Sequence, residues 1–308
     1  MMSNDIVVVG SSNTDMTVKV SSLPRPGQTV LGGEFSSAAG GKGANQAVSA
    51  ARAGGRVVFV ARIGEDSFGE QAVLGFLKDG INTRYIVKDP TAPSGIALIL
   101  VDEKGENSIA VAPGANAQLS PADIEAAKEV IASASVVLIQ LEIPLESVAA
   151  AIETAAAGKA RIILNPAPAQ QLDDDILEKV SIITPNESEA KLLTKTEVKD
   201  EEGAKKASDI LLSKGVETVL ITLGSKGVFV ADSDLRGIVP GFKVEAVDTT
   251  AAGDVFNGAL AVCLVENKSV SEAVRFSNAA AALSVGKLGA QTSVPCREEI
   301  DSFIRDNS

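Results

Sequence analysis

The 308-residue sequence predicts an α/β fold: a central, mostly parallel sheet with helices on both faces, plus a small β-sheet lid. Three observations lead there. Near-continuous Val/Ile/Leu strands alternate with helical segments, the pattern of strands buried on both faces. Polar residues recur just after strand ends, at Asp15, Glu142, Asn165, Asn186 and Thr222, and would line one edge of one sheet as a single cleft requires. Four short alternating strands interrupt this rhythm and read as a separate small sheet.

The first strand is Ile6–Val9, with Ser11-Ser12-Asn13-Thr14-Asp15 at its C-terminal end. Asn13 and Asp15 are two apart, so in extended chain they point the same way. An amide beside a carboxylate suits adjacent sugar hydroxyls; an Asx-turn is the structural alternative. Met16–Val20 and Gln28–Phe35 form one pair of short strands, joined by Leu23-Pro24-Arg25-Pro26-Gly27. Gly95–Val101 and Asn107–Ala112 form a second around Asp102-Glu103-Lys104-Gly105-Glu106, a hairpin signature. Together they make a lid, drawn from about 16–36 and 95–112, on a single domain spanning 1–308. Its edges or face offer a contact for a homodimer.

Between the pairs, Gly40-Gly41-Lys42-Gly43-Ala44-Asn45-Gln46 opens a helix that runs to Gly54-Gly55. It is not a P-loop: glycine rather than Ser/Thr follows the lysine, and no strand is read ending at the first glycine. The third glycine of a dinucleotide fingerprint is also missing. What remains is a turn that brings backbone close to a ligand, with Lys42 and Asn45 able to reach hydroxyls. A loose helix entry with a surface lysine is the alternative.

The middle of the chain alternates regularly. Strand Val57–Ala61 precedes helix Ser67–Leu77, and helix Pro121–Ala132 starts from Ser120 as N-cap with proline at its first position. Strand Val136–Leu141 ends in Glu142, before helix Leu145–Ala157. Strands Ile162–Leu164, Ile182–Thr184 and Val219–Thr222 lead to Asn165-Pro166, to Pro185-Asn186-Glu187-Ser188-Glu189 and to Leu223-Gly224-Ser225-Lys226-Gly227. Late in the chain, Glu272–Val285 and Glu298–Ile304 read as helices. Between them, the Gly/Ser-rich loop Gly286–Ser293 exposes carbonyl oxygens, the donors hard cations prefer.

The stretch Val247-Asp248-Thr249-Thr250-Ala251-Ala252-Gly253-Asp254 runs directly into a helix with Val255, Phe256, Ala259, Leu260 and Cys263 on its apolar side. Small residues at a helix start leave backbone N–H groups uncovered at the positive end of the dipole, which makes an anion pocket. Asp254 sits inside that turn, where a carboxylate can take a proton from a hydroxyl. Asp as a plain helix cap is the competing reading, and on this stretch alone the two stand level.

Composition narrows the chemistry. There is no histidine, which excludes a Ser-His-Asp triad, a His-ligated zinc and a phosphohistidine. A general base must then be Asp, Glu, Lys, Tyr or Cys, which adds weight to Asp254. Net charge is −12 with no basic block, so no nucleic-acid partner is expected. The longest apolar runs are strand-sized, so no membrane span is expected. Met1–Asp5 shows no basic n-region or cleavage site, and two cysteines make no disulfide framework, so a cytoplasmic protein is expected.

Two long motifs, in order and at family spacing, then resemble the signatures of the ribokinase-like (phosphofructokinase-B-type) sugar kinases: Gly40–Gln46 for the N-terminal one and Asp248–Asp254 for the C-terminal one. The resemblance covers the chain from about Asp5 to Ile304. Lys42, Ala251, Ser12–Asp15, Asn165–Pro168 and Gly289–Pro295 point to the ribokinase branch of that family.

The resemblance implies an ATP-dependent kinase acting on the 5-hydroxyl of ribose. Asn13, Asp15, Gly41, Lys42, Gly43, Asn45 and Glu142 would hold the pentose, and Asp254 would be the base. The amides of Ala251, Ala252 and Gly253 would form the anion hole for the γ-phosphate. Asn186, Thr222, Gly224, Ser225, Gly227, Gly253 and Asn278 would line the nucleotide site. Asn186 and Glu189 match the family's Asn-x-x-Glu element, in which Glu189 positions magnesium through water. An activating potassium ion would sit among Asp248, Thr250, Ser284, Lys287, Gly289 and Ser293, mostly on backbone oxygens. A kinase for deoxyribose, fructose, a keto-deoxy sugar acid or a nucleoside is the nearest alternative, and a non-catalytic sugar sensor on the same fold is the one from a different class.

Overall fold

The computed structural model describes residues 5–307, so the reading of Met1–Asp5 lies, but for Asp5, outside the described residues. Its strands are β1 (Asp5–Val9), β2 (Asn13–Lys19), β3 (Phe35–Gly40), β4 (Arg56–Gly64), β5 (Asn82–Asp89), β6 (Gly95–Val101), β7 (Asn107–Ala112), β8 (Val136–Ile139), β9 (Arg161–Leu164), β10 (Ile182–Ile183), β11 (Thr218–Thr222), β12 (Gly227–Ala231) and β13 (Arg236–Pro240). Nine of them form one sheet in the order β13-β12-β11-β10-β9-β8-β1-β4-β5. It is parallel from β11 through to β5, with β12 and β13 turned back antiparallel at one edge.

Both faces of the sheet are covered, which is why its strands read as unbroken apolar runs. In β1, Ile6 and Val8 pack into one apolar cluster and Val7 and Val9 into the other. Helices Lys42–Arg52, Ala252–Val265 and Val270–Val285 lie on the Ile6/Val8 side. Helices Pro121–Ala126, Leu145–Gly158, Glu187–Thr194 and Glu201–Ser213 lie on the other. Burying each large aliphatic side chain stabilises the fold by roughly 1.5–3 kcal/mol. Helix Ala252–Val265 packs directly against Lys42–Arg52, with Ser49 Oγ donating to the Val255 carbonyl at 2.8 Å. This contact places the two signature motifs side by side. Among the described residues no helix is long and apolar enough to cross a membrane.

The lid is a second sheet, ordered β3-β2-β6-β7. The hairpin β6–β7 forms as its turn sequence indicates, and β2 pairs in parallel with β6, so two stretches far apart in sequence close into one sheet.

Several elements differ from the sequence reading. Gln28–Glu34 is turn and coil rather than strand, and the partner of β2 is β3, the small-residue run that ends at Gly40. A strand therefore does end at the first glycine of that motif. The pairing is fixed by backbone register, Asn13 opposite Gly40, and not by apolar alternation. A side chain at position 40 would collide with the Asp15 carboxylate, so smallness there serves the site. Asp15 lies within β2 rather than beyond a strand end. The helix read over Pro121–Ala132 breaks at Ala127 into Pro121–Ala126 and Lys128–Ser133. Strands β5, β12 and β13 were not read from the sequence; β13 and β5 are the two edges of the sheet and β12 lies beside β13.

Candidate active site

At position 41 the backbone must turn sharply into helix Lys42–Arg52. Gly41 has φ of 89°, and a Cβ there would stand 2.6 Å from the Asn13 amide nitrogen, so glycine lets the helix start press against the β1–β2 loop. Two donors fix Glu142 across this junction: Ser11 Oγ donates to Glu142 Oε2 at 2.6 Å and the Lys42 amide to the same oxygen at 3.0 Å. The Gly43 amide donates to Ser11 Oγ at 3.4 Å, tying the helix start to the same junction. Asn116, unread in the sequence, accepts from the Ser12 amide at 2.8 Å and donates to the Ser12 carbonyl at 3.1 Å and to Asn13 Oδ1 at 2.8 Å. It pins the root of the lid and turns the Asn13 amide group.

Asp254 is 6% exposed at the start of helix Ala252–Val265. Its carboxylate forms no ion pair among the described residues: Asn45 Nδ2 donates to Oδ2 at 3.0 Å and Gln46 Nε2 to Oδ1 at 2.9 Å. It does not cap the helix either, because Ala251 is the N-cap and no side chain caps it. Ala251 holds a left-handed conformation, φ 61° and ψ 8°. The N–H groups of Ala251, Gly253 and Asp254 have no partner among the described residues, while that of Ala252 turns to the Thr249 carbonyl at 3.3 Å. Bare amides at a helix tip therefore adjoin a carboxylate, as the sequence motif implied. Asn257 secures this turn: it donates to the Gly253 carbonyl at 2.8 Å and accepts from Thr184 Oγ1 at 2.7 Å.

The electrostatics are those of one lysine among carboxylates. Burial opposes the charge of Lys42, yet Asp254, Glu142, Glu189 and Asp15 together hold its proton more tightly than in an ordinary lysine. Burial, with Glu142 and Asp254, pushes Asp15 up to about 6 against the pull of Lys42. Burial also raises Asp254 above the usual aspartate value, while Lys42, Asn45 and Gln46 pull it down. Buried Asn45 Oδ1 has no partner among the described residues; the amide orientation is set by its donation to Asp254, so this oxygen is left able to accept a hydrogen bond.

On the other side of the Ala251–Gly253 turn lies a cavity of about 470 Å³, within the usual size of small-molecule sites. Thr222, Gly224, Ser225, Gly227, Gly253 and Asn278 all line it, as expected of the nucleotide site. Its floor is apolar, with Val228, Phe242, Val244 and Phe256, which suits a planar base. Asn278 Nδ2 is tied to the Pro240 carbonyl at 3.2 Å. Asn186 does not line the cavity; it is the N-cap of helix Glu187–Thr194 and exchanges hydrogen bonds with Glu189, accepting from its amide at 2.9 Å and donating to Oε1 at 2.9 Å. Glu189 is raised above the usual glutamate value by burial, against the backbone bond from Asn186 and the field of Lys42.

The two segments assigned to a monovalent cation do come together. Asp248 Oδ1 accepts from the Thr250 amide at 2.9 Å and Oδ2 from the Gly289 amide at 2.8 Å. Ser284 and Ser293 are buried, their hydroxyls donating to the carbonyls of Ala281 and Ala290, both at 2.8 Å. The Lys287 side chain instead leaves for Glu299 at 3.0 Å, so only its backbone could serve. One carboxylate with surrounding carbonyl and hydroxyl oxygens is a donor set suited to a hard cation of low charge. Glu189, a single buried carboxylate at the cleft, suits magnesium that keeps most of its waters.

Comparison with known proteins gives the family. Residues 3–297 match the profile of the pfkB family carbohydrate kinases. The chain is 46% identical over 303 residues to the ribokinase of Haemophilus influenzae, covering 98% of this chain and 99% of that enzyme. It is 36% identical over 304 residues to the deoxyribokinase of Salmonella typhi, covering 98% and 99%. Its fold matches that of Arabidopsis thaliana ribokinase complexed with ribose and ATP, with a TM-score of 0.90 at 34% identity, over 97% of this chain and 98% of that one.

Proposed function

The chain belongs to the pfkB family of carbohydrate kinases and is an ATP-dependent sugar kinase, and on that footing we propose that it phosphorylates D-ribose at the 5-hydroxyl. One observation carries the reading: Asp254, with no ion pair among the described residues, is hydrogen-bonded to Asn45, feels the charge of Asp15 and stands beside bare amides next to the cavity that Gly253 lines.

The pentose would be held under the lid by Asn13, Asp15, Gly41, Lys42, Asn45 and Glu142, with ATP in the cavity beyond the turn. Asp254 would take the proton of the 5-hydroxyl as its oxygen attacks the γ-phosphorus. The new O–P bond forms as the β–γ bridge breaks, giving ribose 5-phosphate and ADP. The amides at the helix start and Lys42 hold charge where it develops, the main contribution a protein makes to phosphoryl transfer. Lid closure excludes water that would otherwise hydrolyse ATP. Magnesium bound with ATP would neutralise phosphate charge, with Glu189 orienting its waters and Asn186 holding Glu189. Potassium among Asp248, Thr250, Ser284, Gly289 and Ser293 would stiffen the turn that carries the amides.

The identity to a deoxyribokinase makes 2-deoxyribose the second reading. The unpartnered Asn45 Oδ1 favours a substrate with the full set of hydroxyl donors, because a buried acceptor left empty discriminates strongly. A sugar panel scored by ADP release decides: ribose should give the highest kcat/KM, and a preference for 2-deoxyribose would overturn the assignment.

The lid also supports a homodimer as a proposal. Register places Met16, Val18, Leu98, Leu100 and Phe35 on the lid face away from Asp15. Leu98 and Phe35 are 55% and 65% exposed, an apolar surface that a second copy would cover.

A further inference from the structure

Gln46 is fully buried and makes all its contacts within the protein. Its Nε2 donates to Asp254 Oδ1 at 2.9 Å and to Asn165 Oδ1 at 3.1 Å, and its Oε1 accepts from Gln140 Nε2 at 2.5 Å. Asn165 is itself oriented, since its Nδ2 donates to the Thr184 carbonyl at 3.1 Å. A reversed Gln46 amide would set oxygen against two oxygens and N–H against N–H, losing every partner at once. Gln140 gives its donor to Gln46 although its own Oε1 stays buried without a partner among the described residues, and a Cβ on Gly10 would collide with that oxygen. The slot admits the amide only because residue 10 is glycine. An arrangement that leaves a buried acceptor empty in order to aim a donor is expected of a group held for orientation.

We propose that Gln46 is a positioning residue for Asp254, locked by Gln140 and Asn165 so that an N–H always faces the carboxylate. The proposal rests on the reading of Asp254 as the general base. Donation to the ionised carboxylate favours the form that can accept the sugar's proton. The other charged groups acting on Asp254 are Lys42, Glu142, Asp15 and Glu189, and all remain in place when Gln46 or Gln140 is replaced. A role in packing alone would lower activity equally at every pH. A role through Asp254 moves the pH at which activity is lost.

The test compares Gln140→Leu, Gln46→Met and Gln46→Glu with the unaltered enzyme. It reads the pH dependence of kcat/KM for the sugar and the carboxyl 13C titration of Asp254, assigned with Asp254→Asn. Losing the donor should shift both acid limbs to higher pH by about one to two units, with KM little changed and turnover recovering as pH rises. Gln140→Leu removes no group that touches Asp254 but takes away the donor that holds the Gln46 amide in its orientation, so it decides the matter if the Gln46 variants misfold. Unmoved titrations in folded variants, or a loss equal at every pH, overturn the proposal. A shift in the 13C titration without one in the rate profile would uphold the lock and overturn Asp254 as the base.

Discussion

Asn45 donates its amide to Asp254 at 3.0 Å although 209 positions separate the two residues in the chain. The residue proposed to meet the sugar and the residue proposed to deprotonate it are thus one hydrogen-bonded unit. Moving either moves both, and several outcomes follow from that coupling.

Asp254→Asn removes the proton acceptor while keeping shape. Turnover should fall by about 10²–10⁴-fold with a modest change in sugar KM. Steady-state kinetics with an ADP-release assay measure this, and turnover near the original value would take Asp254 out of the mechanism.

Asp15 sets a pH dependence. Burial and the carboxylates of Glu142 and Asp254 push it up to about 6, from 3.8 when free. Between those values the folded protein carries a proton that the unfolded chain lacks. Stability from this group is therefore gained as pH falls below about 6 and lost as pH rises through it. Sugar binding runs the other way, because hydroxyls donate to the ionised form. KM for ribose should climb as pH drops through about 6, and a flat KM across that range would remove Asp15 from sugar binding.

The Asp248 carboxylate joins the turn before Asp254 to the Gly289 loop by two N–H bonds. Asp248→Ala should misplace the bare amides and lower turnover by up to about 10²-fold. The potassium concentration for half-activation should rise as well. Equal rates in sodium and potassium for the unaltered enzyme would sink the monovalent-cation part of the proposal.

On the lid, Leu98→Glu places a charge on the exposed apolar face. Light scattering should show a dimer for the unaltered chain and a monomer for the variant, while the circular dichroism spectrum stays the same. A dimer that survives the substitution would show that this face is not the contact.

Strand–helix alternation and both signature motifs were legible in the sequence, because Val/Ile/Leu runs and glycine clusters are local signals. The amides behind the site were not. Gln46, Gln140, Asn116 and Asn257 are polar residues inside helices or just past strand ends, and such residues ordinarily face solvent. Their roles depend on partners brought near only by the fold. The small-residue strand β3 was missed for the same reason: Ser36, Ser37, Ala38 and Ala39 carry no apolar period, and their pairing is set by β2.

The packing of helix Ala252–Val265 on helix Lys42–Arg52 has a bearing on synthesis. Until the ribosome has passed position 254 of the 308, one wall beside the Gln46 amide is missing and its carboxylate acceptor does not yet exist. A nascent chain can lay down β1, β4 and β8 early, yet it stays catalytically silent until its C-terminal segment arrives to close the centre.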